Sequence, residues 1–518
     1  MEGNRILLVN AVNAGGRIQV PVGLIYLASN LKRHGYECEI FHVVDSHTLT
    51  ICRNKILSNK YLFVGFSLWM GPSALDLLSL AEAAKSKSIS TLAGGKFISS
   101  LKTDTMNEKS LDIAGIGYCE DTIVEVAEAL RGGGSLSGVR GIIYRNKSGE
   151  IITTATRVDS DKNLDRFDYD LSFVKDWSLY LGKDHGGSIL MDPIETQRGC
   201  LFNCSFCFHS DDTLYRDSAG RKSVAAHSIE YVIDKAKYLK KITGVNKITF
   251  CDDEFWIDGK RSLIIMEKLK QIDIELLYMR IRFSSIDKDM LKELKRLNVN
   301  SVACGLESGS KRIFKLMNKG QSLDTVEAKL KVLNDEKMAV NTSIIIGSPT
   351  ETKKEMIESV RYMLGLRRIN KSLNIVAFIY AAIPSTVFGR LAEEEGFKKP
   401  NSIRGWVTAN AENYDILKQW LPWYTEKEKK FMLRSNDYFF INSAVNGILC
   451  SDCKKSLVFT LLTFPLYMYE RISFYRLYHW NFYFPLEAKL FMGAHKIYEY
   501  FKNRRKMKEV RKNCAVSI

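Results

Sequence analysis

Short apolar runs alternate with amphipathic helical stretches over the first 400 of the 518 residues, and the alternation runs through twice. Such alternation favours parallel strands covered by helices on both faces. In the first pass, Ile6–Asn10, Glu37–Val44, Leu62–Leu68, Ser90–Ala93 and Leu111–Ile116 read as strands, and Val22–His34, Ala74–Lys87 and Thr122–Leu130 as helices. Residues 136–185 read as a connector, in which Val139–Arg145 and Ile151–Ala155 flank a hairpin turn at Asn146-Lys147-Ser148-Gly149. The second pass offers six strands, Ile194–Gln197, Lys247–Phe250, Leu276–Phe283, Ser301–Gly305, Val340–Ile346 and Leu373–Tyr380, with helices between them. The expected fold is therefore α/β. A doubly wound, Rossmann-like domain over 1–135 precedes the connector. A partial (β/α)6 barrel follows over 186–400, then a mostly helical region over 401–518. Sheets of this kind bind ligands beyond the carboxyl ends of their strands.

Composition narrows the class. At 46% hydrophobic and 26% charged residues the chain is a folded globular protein, not a disordered or fibrous one. Its longest uncharged run, Ser372 to Gly389, is too short and too polar for a bilayer span. The start, Met-Glu-Gly-Asn-Arg, is no signal peptide, so the cytoplasm is the expected compartment. An odd count of 11 cysteines argues against a disulfide framework and for metal or cluster ligation. The net charge of +16 is partly local, with seven Lys/Arg and one Glu between Lys502 and Lys512. A solvated tail is the plainer reading of that run; RNA or an anionic membrane surface is the sharper one.

The strongest local signal is Gly199-Cys200-Leu201-Phe202-Asn203-Cys204-Ser205-Phe206-Cys207, just after the first strand of the second block. Three thiolates converging from one loop suit a [4Fe-4S] cluster with one iron left open to a ligand bearing an amine and a carboxylate. A structural zinc ion is the alternative; it needs a fourth ligand, for which His209 is at hand. Cys450 and Cys453 form a second, isolated pair. Cys38, Cys52, Cys119, Cys251 and Cys304 read as core.

The Cys-x3-Cys-x-aromatic-Cys spacing, with Phe206 in the aromatic slot, resembles the radical S-adenosylmethionine (SAM) superfamily. Several segments follow in that family's order. Asp252-Asp253-Glu254 after the second strand resembles its acidic segment facing the SAM amino group, and Arg282 on the third strand holds a position often near the SAM carboxylate. Gly305-Leu306-Glu307-Ser308-Gly309 resembles its ribose segment, and Gly347-Ser348-Pro349-Thr350-Glu351-Thr352 its adenine segment. The resemblance implies Cys200, Cys204 and Cys207 as cluster ligands. It implies Asp252, Asp253, Glu254, Arg282, Glu307, Ser308, Gly347 and Glu351 around SAM.

The first 135 residues resemble the cobalamin-binding domain fused ahead of many radical SAM enzymes. Pro21-Val22-Gly23 follows strand one, Gly94-Gly95 follows strand four, and Gly115-Ile116-Gly117 with Glu120 follows strand five. The resemblance implies Val22, Gly23, Ser67, Gly94, Gly95, Gly117 and Glu120 around cobalamin. Asp45-Ser46-His47 is the nearest approach to an axial-histidine loop, but Thr50 stands where the motif has Gly and the segment follows strand two, so the implied cobalamin has no His ligand.

Together these imply a cobalamin-dependent radical SAM enzyme, methylating an unactivated carbon of a natural-product, peptide or lipid substrate. Non-methylating radical chemistry such as cyclisation, rearrangement or oxidation is the alternative, and a zinc or RNA-binding protein the remote one. An external electron donor such as flavodoxin or ferredoxin is implied, and no nucleic acid is expected. The aromatic stretch Phe474, Tyr475, Tyr478, Trp480, Phe482, Tyr483 and Phe484 beside the basic tail allows peripheral membrane contact; an ordinary core helix is the preferred reading.

Overall fold

The first alternation forms a seven-stranded sheet of order β2-β1-β3-β4-β5-β6-β7. The structure is a computed structural model, and the described residues are 4–12, 18–158, 161–184, 187–210, 221–409, 420–449, 457–482 and 485–493. Strands β1 (Arg5–Ala11), β2 (Glu37–Val43), β3 (Phe63–Ser67), β4 (Ser90–Gly94) and β5 (Ile113–Gly115) are parallel. The apolar runs of β1, β3, β4 and β5 are buried because helices cover both faces, one packing on Val22–Arg33 and Glu120–Arg131 and the other running into the main core, while β2 at the edge is mostly half-buried. The predicted hairpin forms as β6 (Ile142–Arg145) and β7 (Ile151–Thr153) and extends this sheet as an antiparallel edge. The order places the switch point between β1 and β3, the flavodoxin-like variant of the doubly wound sheet.

The second alternation forms two four-stranded sheets. The first is β13-β12-β9-β8, from β8 (Leu181–Asp184), β9 (Gly187–Ile194), β12 (Lys247–Phe250) and β13 (Glu275–Leu276). The second is β14-β15-β16-β17, from β14 (Met279–Arg280), β15 (Ser301–Ala303), β16 (Ala339–Ile346) and β17 (Leu373–Ile379). All their strands are parallel except β8, which pairs antiparallel with β9. The run predicted as one strand, Leu276–Phe283, is thus two short ones, each hydrogen-bonded to a different neighbour.

The first barrel strand lies earlier than the predicted Ile194–Gln197. Asp192 and Pro193 obscure it in the sequence. The structure accommodates them in an irregularity of the β9–β12 ladder, where Asp192 has φ +53° and its side chain pairs with Thr249 and Arg280. After β17 the described chain is helical, with Glu426–Leu449 and Leu457–His479 as the long elements. None of the described helices is long and apolar enough to cross a membrane. Cys450, Cys453, Tyr483, Phe484 and the basic run 502–512 lie outside the described residues.

Candidate active site

The cysteine loop leaves the barrel just past β9. There β10 (Gln197–Arg198) pairs antiparallel with β11 (Ala225–Ala226), and the chain turns at Gly199. Gly199 has φ +102°, and a Cβ there would lie 2.5 Å from the Ser223 carbonyl oxygen, so only glycine fits. The loop beyond is tied on several sides. Ser205 donates its amide to Met317 O (3.0 Å) and its hydroxyl to Leu316 O (2.7 Å). Asn318 donates to Asn203 O, the Phe388 amide donates to Ser205 O, and Lys222 Nζ reaches the carbonyls of Phe202 and His209. Phe206 packs edge-on against Phe388. So held, Cys200, Cys204 and Cys207 line one cavity of about 750 Å³.

Four of the predicted SAM residues line the same cavity: Asp253, Glu254, Arg282 and Glu307. Arg282 lies 3.7 Å from the centre of the Phe202 ring, with Nη1 at 3.9 Å from Cys204 Sγ; its Nε and Nη2 are buried without a hydrogen-bond partner. Glu254 Oε1 is likewise buried and unpartnered, and burial pushes its carboxyl up to about 7. Glu307, at φ +76°, accepts from Lys319 Nζ (3.1 Å) and Ser343 Oγ (2.8 Å). Asp253 pairs with Lys96 Nζ (3.3 Å) and His209 Nε2 (2.8 Å), which hold its carboxyl below the usual range against the upward push of burial.

The other four stand behind the wall. Asp252 is buried and accepts from the Thr196 amide and hydroxyl, joining the ends of the first two barrel strands. Ser308 bonds Ser359 Oγ and the Ser310 amide. Glu351 Oε2 accepts from the amides of Gly347 (2.7 Å) and Ser348 (3.1 Å), closing the turn after β16. Burial pushes Glu351 up to about 8, and its Oε1, buried without a partner, can carry the proton. A proton kept by the folded chain and released by the unfolded one makes stability fall as pH rises between the two pKa values. Glu351 alone is therefore expected to cost the cofactor-free protein up to about 1.4 kcal/mol of stability per pH unit between about pH 5 and 8. Glu351→Gln is expected to remove that share of the slope in urea titrations at several pH values, leaving the share of Glu254 and Asp252; an unchanged slope would place the proton elsewhere.

At the first sheet, the predicted cobalamin residues gather at the carboxyl ends of the strands, with one exception. Val22 and Gly23 open the helix after β1, Ser67 ends β3 and Gly94 ends β4. Gly95 has φ +111°, and a Cβ would lie 3.1 Å from Leu68 O, so the backbone there stays bare. The Gly117 amide donates to Ser99 Oγ. Trp69, just beyond β3, is 51% exposed. Glu120 is the exception: its carboxylate is buried in a 2.8 Å pair with Arg198, which also pairs with Glu195 and packs over the Tyr118 ring. Asp45 caps the helix Ser46–Ser58 in a reciprocal box with Thr48, leaving His47 exposed on its first turn.

Residues 194–363 match the family model of the Radical SAM superfamily. The barrel of this chain is a radical SAM domain. The match takes in the three loop cysteines and all eight residues predicted around SAM. The chain is 27% identical over 353 residues to an uncharacterized methyltransferase of Pyrococcus horikoshii, covering 66% of this chain and 72% of that one. It shares its fold with OxsB, a cobalamin-dependent SAM radical enzyme solved with aqua-cobalamin and SAM, at a TM-score of 0.64 and 14% identity over 96% of this chain and 76% of that one. The methyltransferase TsrM from Kitasatospora setae, solved with cobalamin and a [4Fe-4S] cluster, superposes with a TM-score of 0.59 at 14% identity over 76% and 75% of the two chains.

The residues present fit the groups that the radical SAM family implies. Among the described residues no three His, Cys, Asp or Glu side chains are grouped as ligands of a single ion. The three cysteines, brought to one cavity by a single loop, suit a cluster of several irons. Burial raises the Cys200 thiol above its ordinary range and that of Cys207 to about 11, so cluster binding must release protons. A zwitterionic amino acid end would supply a cation to Glu254 and an anion to the free edge of Arg282.

Sequence reasoning missed Lys96 and Lys319. Lys96 directly follows the Gly94-Gly95 pair, a signal that was available. Lys319 has no local motif, and the fold alone carries it to Glu307.

Proposed function

We propose that this radical SAM enzyme is cobalamin-dependent and methylates an unactivated carbon of a small-molecule substrate. The observation that carries the reading is the Lys96–Asp253 pair, which brings the glycine edge of the first sheet to the rim of the cysteine cavity. The contact of Ser385 Oγ with Ser100 O (2.8 Å) holds the same two edges together. Cofactors bound on both sides of this seam would face each other without a long gap.

Cys200, Cys204 and Cys207 hold the cluster in this reading. Glu254 and Arg282 take the amino and carboxylate ends of SAM, and Glu307 faces its ribose, its charge balanced by Lys319. Asp252, Ser308, Gly347 and Glu351 shape the wall and touch no ligand. Ser67, Gly94, Gly95 and Gly117 cradle cobalamin by backbone approach. Bound, the three groups supply a 5′-deoxyadenosyl radical and a transferable methyl group. Val376 and Phe378 on β17 and Ile189 and Met191 on β9 give the cavity an apolar side where substrate can be kept from water. The electron for the cluster comes from an external carrier of the flavodoxin or ferredoxin kind.

The test is anaerobic reconstitution with iron, sulfide and hydroxocobalamin, followed by desalting and metal counts. About four irons and one cobalt per chain are expected. Iron without cobalt would remove the cobalamin part, and neither metal would remove the cluster. Arg282→Met is expected to keep its iron and bind SAM at least about tenfold more weakly in equilibrium dialysis.

A further inference from the structure

A second cavity, of about 730 Å³, lies on the outside of the barrel, between the helix Lys353–Leu366 and the long helix Leu457–His479. Its floor is apolar, made by Ile357, Tyr362, Phe474 and Tyr478. Its rim carries four cations, Lys353, Lys354, Arg361 and Arg368, against one carboxylate, Glu358. Nothing in the catalytic reading uses these residues.

The cavity continues into an exposed stripe. Met468, Tyr475 and Tyr478 are 44%, 58% and 38% exposed. They stand seven and three residues apart with Arg471 between them, so they share one face of the helix. Leu486 and Leu490, 66% and 60% exposed, add a second apolar pair one helical turn apart. A face that mixes exposed aliphatic side chains, tyrosines with polar tips and basic residues has the chemistry of a membrane–water interface. The basic run 502–512 carries the same sign as the cavity rim, so charge disfavours the chain's own tail as occupant and favours an anionic surface that would attract both.

We propose that this face docks the enzyme on an anionic phospholipid surface. Tyr475, Tyr478 and the leucines enter the headgroup layer, while Lys353, Lys354 and Arg368 meet lipid phosphates. The inference does not depend on the cofactor assignment, because no residue of the cysteine cavity takes part.

The test uses the full chain in flotation with phosphatidylcholine vesicles, with and without about 30% phosphatidylglycerol. Wild type is expected to float with the anionic vesicles at least about tenfold better than with neutral ones, and less so as salt rises. K354E/R368E and Tyr475→Ser are each expected to weaken flotation severalfold, with iron content and circular dichroism unchanged. Equal flotation with neutral and anionic vesicles, no flotation at all, or variants that float like wild type would overturn the proposal. Retained flotation in both variants, lost only on removal of residues 494–518, would assign membrane contact to the tail and not to this face.

Discussion

Cys204→Ala is expected to retain almost none of the iron that reconstituted wild type holds, and to cleave SAM at least about a thousandfold more slowly. Each of the three thiols is a separate anchor, and the fourth cysteine of the cavity lining, Cys304, is buried at the end of β15 and off the loop. The fold itself should survive. The loop is held through the backbone at Phe202, Asn203 and Ser205, and the Cys204 thiol is not among those ties. Cofactor-free Cys204→Ala is therefore expected to melt close to cofactor-free wild type, and Cys251→Ala, whose thiol is absent from the cavity lining, to keep its iron. A Cys204→Ala protein that still binds a full complement of iron would end the cluster assignment.

Arg198→Met is expected to destabilise the protein by about 3–5 kcal/mol, because it leaves the carboxylates of Glu120 and Glu195 buried without their cation. The pair joins the first turn of the helix after β5 to the strand that leads into the cysteine loop, so its loss also loosens the seam between the sheet and the barrel. Calorimetry of the variant is expected to show a lowered transition that separates into two. Glu120→Gln should move the same way by a smaller amount, since Arg198 keeps Glu195. If Glu120→Gln melted like wild type and altered the absorption of bound cobalamin, the ligand role implied by resemblance would be restored to that residue. The cavity's own charge balance rests on two further pairs, Lys319 with Glu307, twelve residues apart, and Lys96 with Asp253, 157 residues apart.

Much of this was legible in advance because it is local. Five parallel strands and three of their helices follow from apolar periodicity, which backbone hydrogen bonding and burial convert directly into a sheet; the helices Ser46–Ser58 and Lys96–Leu101 do not. The cysteine spacing places three thiols in one loop whatever surrounds it. Where reading failed, a tertiary exception overrode a local rule. Pro193 and Asp192 argue against a strand, yet an irregular ladder with Thr249 and Arg280 absorbs both. Asp45-Ser46-His47 is the converse case: the sequence already spoke against an axial-histidine loop there, and the carboxylate caps a helix.

The sequence by itself determined the two alternations, the cysteine loop and the acidic and glycine segments in their order, since each depends on residues close together in the chain. Only the tertiary structure decided which of the eight predicted SAM residues face the cavity. Asp252 and Asp253 are adjacent in sequence and point to opposite tasks, because successive residues at a strand end project to different sides. Glu120 shows the same limit across a longer distance. Its place beside a glycine motif suggested a ligand, but Arg198, 78 residues away, is the group that its buried carboxylate meets. A short sequence motif fixes what a side chain can bind; the packing of distant segments fixes what it reaches.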